Sequence, residues 1–272
     1  MKFRKHELPV GGRVLIMGIL NVTPDSFSDA GKYFSCGSAV DHALKMIEDG
    51  ADVIDVGGES TRPGAESVSI DEELGRVIPV IKELAKTGTP ISIDSYKPDV
   101  AKKALAAGAA MINDINGLRS EGMAELAAKY DTPVCIMHMQ GTPRDMQKNP
   151  AYADVVKDIK HFLKKQAEYA IKKGVKKDRI LIDPGIGFGK TTEHNIQIIK
   201  NIGEFKKLGY PVLIGPSRKS FIGNILNIPV EERLAGTIAA STICAINGAD
   251  MLRVHDVKGV KQAVKLAERI IK

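Results

Sequence analysis

The sequence has no tryptophan, and aromatic residues make up only 5% of its 272 positions. Nucleic-acid-binding faces interleave basic with aromatic side chains, and no stretch here has that pattern, so no nucleic-acid partner is expected. Cysteine is scarce: Cys36, Cys135 and Cys244 are odd in number and scattered. They form neither a disulfide framework nor a metal-ligand spacing. No run of eighteen apolar residues occurs, which excludes a transmembrane helix. Residues 1–10 lack the apolar core of a signal peptide. A protein of the reducing cytoplasm, away from membranes, is the expectation. Also missing are a second histidine at ligand spacing from His138 and any Ser-His-Asp or Cys-His nucleophile arrangement.

Acidic residues are in modest deficit, 33 against 39 Lys and Arg, for a formal charge of +6. A small anionic substrate would fit such an excess. Much of it, however, sits in Lys157, Lys160, Lys164, Lys165, Lys172, Lys173, Lys176 and Lys177. These accompany an apolar helical stripe of Tyr152, Val155, Val156, Ile159, Leu163 and Ala170, and read as its wet face.

The apolar fraction, 43%, is organised as short runs alternating with helical patterns. Strands are predicted at 14–20, 53–56, 90–94, 111–113, 133–137, 180–183, 211–215 and 251–254. Their continuous apolar character suits strands covered on both faces. Helices are predicted at 38–50, 71–87, 98–108, 121–130, 152–173, 193–208, 231–247 and 257–270. Pro98 marks a start, and Gly50, Gly108 and Gly174 mark stops. Eight βα units without a linker predict one α/β domain over residues 1–272, a single (β/α)8 TIM barrel. A doubly wound sheet is the rival, but no G-x-G-x-x-G follows the first strand. Residues 3–10 are expected to close the barrel's bottom.

Polar residues collect where the predicted strands end, which is where such a barrel keeps its chemistry. Strand ends carry Asn21, Asp55, Asp94-Ser95, Asn113-Asp114, His138, Asp183, Ser217 to Ser220, and Arg253 to Asp256. Single Ser, Asp or Asn residues there are ordinary caps; polar termini on all eight strands are not. Asp94, Asn113 and Asp183 suit an aromatic heterocycle, whose parallel N–H donors would satisfy a buried carboxylate. Arg253, His255 and Lys219 suit an anion such as phosphate or pyrophosphate. The alternative for Arg253 and His255 is a structural ion pair with Asp256 or another acid. The run GIGFGKT from Gly185 fails the Walker spacing; a glycine-rich turn presenting Phe188 to the pocket is the better reading.

In order, these blocks resemble the dihydropteroate synthase family over nearly the whole chain. The first two signatures, MGILNVTPDSFSD at 17–29 and GADVIDVGGESTRPG at 50–64, are specific to it. SIDS at 92–95, INDI at 112–115, MHMQG at 137–141, DPGIGFGK at 183–190, GPSRKS at 215–220 and RVHD at 253–256 match as well. The resemblance implies a folate-pathway transferase that joins a pterin pyrophosphate to 4-aminobenzoate and expels pyrophosphate. It implies pterin contacts from Asp94, Asn113, Asp183 and Lys219, with Ile115 and Met137 lining the slot. Asn21, Arg253 and His255 would hold the pyrophosphate, and Mg²⁺ would sit on the leaving group and Asn21. Phe27, Thr61, Arg62, Pro63, Phe188, Lys219 and Ser220 would shape the aminobenzoate site. Asp25, Asp94 and Lys219 would be the catalytic set, with residues 21–35 and 57–67 as lids. Family members are typically homodimers and sulfonamide targets. The small-sided face Ala239, Ala240, Ser241, Thr242 and Ala245 suits a dimer contact or packing on the barrel. Competing readings are a methyltetrahydrofolate–corrinoid methyltransferase, against which 23–29 and 217–220 speak, and a catalytically silent pterin-binding protein.

Overall fold

The computed structural model describes residues 1–3, 6–23, 36–60 and 64–271. The chain opens with a small antiparallel pair, β1 (Lys2–Phe3) and β2 (His6–Glu7). The alternating units follow: β3 (Leu15–Asn21), α1 (Cys36–Glu48), β4 (Val53–Gly57), α2 (Ile70–Leu84), β5 (Ile91–Asp94), α3 (Pro98–Ala107), β6 (Met111–Asp114) and α4 (Met123–Lys129). The second half adds β7 (Val134–Met137), α5 (Val155–Lys172), β8 (Ile180–Asp183), α6 (Thr192–Lys200), α7 (Ile202–Lys206), β9 (Leu213–Ile214), α8 (Ser220–Leu226), α9 (Leu234–Ile246), β10 (Met251–Val254) and α10 (Val257–Ile271).

The parallel strands β3 to β10 pair in the order β8-β7-β6-β5-β4-β3-β10-β9. A parallel bridge between Ile182 and Val212 joins the two ends. The sheet therefore closes into a single (β/α)8 TIM barrel, as predicted. Period two along the strands separates two cores. Ile16, Leu20, Ile54, Val56, Ile93, Ile112, Ile136 and Ile182 point outward into the helical layer. Leu15, Met17, Val53, Met111, Cys135, Leu181, Leu213 and Met251 fill the barrel axis. Phe3, fully buried, joins this inner set from β1, so the N-terminal hairpin plugs the bottom. No helix among the described residues is long and apolar enough to cross a membrane.

Most elements lie within a few residues of the sequence prediction, with four differences. The predicted strand 211–215 is regular only at Leu213–Ile214. The predicted helix 193–208 breaks at Asn201, whose Nδ2 donates to the Gln197 carbonyl (2.8 Å) and competes with the backbone ladder. The helix expected at 231–247 begins as a separate 3₁₀ turn, Val230–Glu232, before α9. Helix α8 was not predicted; it is short, carries Gly223, and leaves Ile225 and Leu226 exposed.

Candidate active site at the barrel mouth

Strand parity carries the inner face upward from the apolar floor. Two residues beyond Val53, Met111, Leu181 and Met251 come Asp55, Asn113, Asp183 and Arg253, on the same face. On β5 the same parity runs from Ser92 to Asp94. Met137 and Ile19 are the apolar members of this layer. The mouth is thus a ring of polar side chains standing on an apolar plug, and barrel closure alone brings them together.

Arg253 lies at the centre. Its Nε donates to Asp55 Oδ2 and an Nη to Asp94 Oδ2, each at 2.6 Å. Asn113 Nδ2 donates to the same Asp55 oxygen at 2.9 Å. Asp55 Oδ1 and Asp94 Oδ1 are buried and have no hydrogen-bond partner among the described residues. Two buried carboxyl groups share one guanidinium, and the consequences run in both directions. Burial raises the Asp94 carboxyl to about 7, with Asp55 adding to the rise against the pull of Arg253. Arg253 is held above its ordinary value because Asp55 and Asp94 outweigh its own burial.

Asp183 is also buried and accepts from the Gly185 amide at 2.7 Å. Burial raises its carboxyl to about 6, opposed by that hydrogen bond and by Lys190 and Lys219. Lys219 stands beside it, its ammonium 4.1 Å from the centre of the Phe188 ring. Burial and the nearby Arg253 bring Lys219 down to about 8. Ile115, Met137, Met139, Met146 and Phe188 form one apolar group, with Tyr96 against it. A flat heterocycle between this wall and the carboxylates would meet apolar surface on its face and acceptors on its edge.

His255 is neutral here: burial and then Arg253 lower its ring to about 3. Its Nδ1 lies 3.0 Å from Ser217 Oγ. Asp256 pairs with Arg218 instead, at 2.7 and 2.9 Å. The ion-pair alternative therefore holds for Arg253 in this state, with Asp55 and Asp94 as partners, but not for His255. Asn21 ends β3 at the mouth, half-buried. Ser220 begins α8 and is exposed.

Not every polar strand end belongs to the site. Asp114 accepts from the Asn116 and Leu118 amides, both at 2.8 Å, and shapes the turn after β6. His138 packs edge-on against Phe162, and burial drives its ring down to about 2. Asp25, Phe27, Thr61, Arg62 and Pro63 lie outside the described residues. Asp55, by contrast, was passed over as a site residue in the sequence. Its parity with Val53, an axis residue, is the signal that points it inward.

This arrangement defines a barrel enzyme whose mouth is built for a planar, donor-rich ligand. The family model described as "Pterin binding enzyme" matches residues 17–255. A dihydropteroate synthase of Clostridium beijerinckii is 49% identical, with all of both chains covered. Two solved structures agree in fold and sequence. One is a Xanthomonas albilineans dihydropteroate synthase with 4-aminobenzoic acid (TM-score 0.91, 45% identical, 96% of this chain and 94% of that one). The other is a Yersinia pestis dihydropteroate synthase with a sulfonamide drug complex (TM-score 0.95, 44% identical, 100% and 98%). The chain belongs to the dihydropteroate synthase family, and it is a transferase.

Proposed function

We propose that the mouth performs the family's condensation with a division of labour between rigid strand ends and the loops above them. The reaction joins 6-hydroxymethyl-7,8-dihydropterin pyrophosphate to 4-aminobenzoate, giving 7,8-dihydropteroate and pyrophosphate. The observation that carries this reading is the under-satisfied acceptor set at the mouth. Among the described residues, Asp94 keeps a buried oxygen without a donor, and Asp183 at the same level accepts from the Gly185 amide. A buried acceptor left open calls for a donor, and a pterin edge supplies N–H donors in pairs. Asn113 offers amide contacts between them, Lys219 closes the ring, and Ile115 and Met137 make the slot.

Arg253, His255 and Asn21 stand on neighbouring strand ends where the pyrophosphate would leave. Arg253 would exchange one of its carboxylates for the anion once the pterin satisfies Asp94. The reacting carbon next to the pterin ring can bear developing positive charge, so departure of the leaving group runs ahead of attack. Stabilising an anion then matters more than a protein nucleophile. The residues also fit Mg²⁺. Asn21 offers a hard amide oxygen, and no group of three His, Cys, Asp or Glu gathers as a cage among the described residues. Magnesium is commonly held by one or two protein oxygens together with substrate phosphates. Bound there, it would share the charge of the leaving pyrophosphate.

The aminobenzoate would lie against Phe188, Lys219 and Ser220, with Phe27, Thr61, Arg62 and Pro63 completing the site and Asp25 steadying the cation. Sulfonamides, as aminobenzoate mimics, would compete there. The chain would act as a homodimer: α8, α9 and α10 leave Ile225, Leu226, Leu234, Ile243, Ile246, Leu266 and Ile270 exposed, an apolar surface of the kind that marks an interface. Free, mostly buried cysteines suit the cytoplasm. The decisive assay is pyrophosphate release, expected only when both substrates are present. Release with the pterin substrate alone, or none with both, would sink the reading.

A further inference from the structure

Lys190 ends the DPGIGFGK block, and no step above uses it. Its side chain is buried, the whole residue being 3% exposed. Nζ donates to the Phe188 carbonyl at 2.9 Å and to the His138 carbonyl at 3.3 Å, and lies 3.0 Å from His138 Nδ1. Facing the Lys190 ammonium, His138 Nδ1 takes the acceptor role, and burial lowers that ring to about 2. All three contacts are neutral groups. An ammonium buried on neutral acceptors is costly, and burial brings Lys190 down to about 7. An apolar side chain would fill the same space without that cost, so what the ammonium holds matters.

It holds a loop under unusual constraint. Gly185, Gly187 and Gly189 all have positive φ, at 72°, 82° and 66°. A Cβ on Gly185 would lie 2.0 Å from the His138 carbonyl oxygen, so this loop and the one after β7 touch backbone to backbone. Three further loop carbonyls also accept. Gly185 O accepts from the Phe188 amide (3.1 Å), Gly187 O from Gln147 Nε2 (2.5 Å) and Gly189 O from the Tyr152 hydroxyl (2.7 Å). The Gly187 amide donates to Asn195 Oδ1 at 2.8 Å. Gln147 and Tyr152 also link the two loops; Lys190 is the link that ties the Phe188 peptide to His138. On the other side of that peptide, the Phe188 ring lies under Lys219.

We propose that Lys190 is a positioning residue for the second substrate: by holding the Phe188 and His138 carbonyls together it fixes the Phe188 ring against Lys219, and so shapes the wall on which 4-aminobenzoate lies. The proposal rests on the assignment of Phe188 to the aminobenzoate site.

Steady-state kinetics of the full-length chain with each substrate varied in turn tests it, alongside thermal melting. Lys190→Met should raise KM for 4-aminobenzoate about tenfold while KM for the pterin pyrophosphate stays within about twofold, a split that general loosening of the fold does not produce. Phe188→Ala is the companion variant. If it leaves KM for 4-aminobenzoate unchanged, the assignment of Phe188 falls. If it raises that KM and Lys190→Met does not, the assignment stands and the role of Lys190 is overturned. Parallel rises in both KM values with a lowered melting temperature would also overturn it, by showing a structural role only. Should Lys190→Met fail to fold, Gln147→Leu replaces it: this exposed side chain holds the adjacent carbonyl, and its loss should raise KM for 4-aminobenzoate about threefold. No rise would overturn the proposal.

Discussion

Two buried clusters in this barrel have the same composition and opposite saturation. At the mouth, Asp55 and Asp94 share Arg253. One barrel layer outward, Glu59 and Glu73 share Lys97, both at 2.7 Å. Each cluster sets two carboxylates against one cation. In the outer cluster the other groups are served as well: Glu59 accepts from the Tyr96 hydroxyl (2.8 Å) and the Val68 amide (3.0 Å), and Lys97 also donates to the Val68 carbonyl (2.7 Å). At the mouth, one oxygen of each aspartate has no partner among the described residues. A saturated network is a fastening, here of the two feet of the loop after β4. An unsaturated one is a place for a ligand. Buried charge alone does not separate the two roles; the count of unmet acceptors does.

The largest expected effect falls on the saturated cluster. Lys97→Met strands two buried carboxylates and should cost about 3–5 kcal/mol of stability in urea unfolding. Asp94→Asn should instead leave the urea midpoint nearly unchanged and abolish dihydropteroate formation. An Asp94 variant that unfolds while the Lys97 variant stays stable would break the comparison.

Next comes the ligand. Asp183→Asn should weaken pterin binding by ~30–100-fold, the scale of one or two hydrogen bonds to a charged acceptor, with the fold retained. Unchanged affinity by calorimetry would remove Asp183 from the site.

A pH dependence follows from the buried Asp183 carboxyl. Burial raises Asp183 from 3.8 to about 6, so between those values the folded protein holds a proton that the unfolded chain has lost. That contribution to stability is full below 3.8 and disappears as pH rises through about 6. Stability of the ligand-free protein should therefore fall across this window, and fall less in Asp183→Asn. Pterin donors favour the ionised carboxylate, so binding near pH 6 should release protons, measurable by calorimetry in buffers of different ionisation enthalpy. Proton uptake would contradict the assignment.

The smallest effect sets the baseline. Lys86 and Glu83 pair at 2.7 Å on the exposed face of α2 and its C-terminal turn. Lys86→Ala should leave the melting temperature unchanged within error. A measurable loss there would mean that pairing, not burial, decides the ranking.

Much of this was legible in the chain. Strands covered on both faces announce themselves as unbroken apolar runs, so all eight were located, and the polar residues that follow them marked the mouth. Helix α8 escaped because a seven-residue helix with a central glycine and exposed Ile225 and Leu226 has no buried stripe to read. The break at Asn201 escaped because it depends on one side chain reaching a carbonyl four residues back. Asp55 was visible but unweighted, since its inward direction follows only once the parity of β4 is tied to the barrel axis.

By itself, then, the sequence determined the alternation of elements, the closed barrel, the polar mouth and the family, because these follow from local periodicity and from residue types at strand ends. Only the tertiary structure decided the pairings. Arg253 meets Asp55 across 198 positions of chain and Asp94 across 159, and Lys190 meets His138 across 52. Which cation serves which carboxylate, and which acceptor is left open, depends on how barrel closure sets strand against strand. No local pattern encodes a distance between residues that far apart.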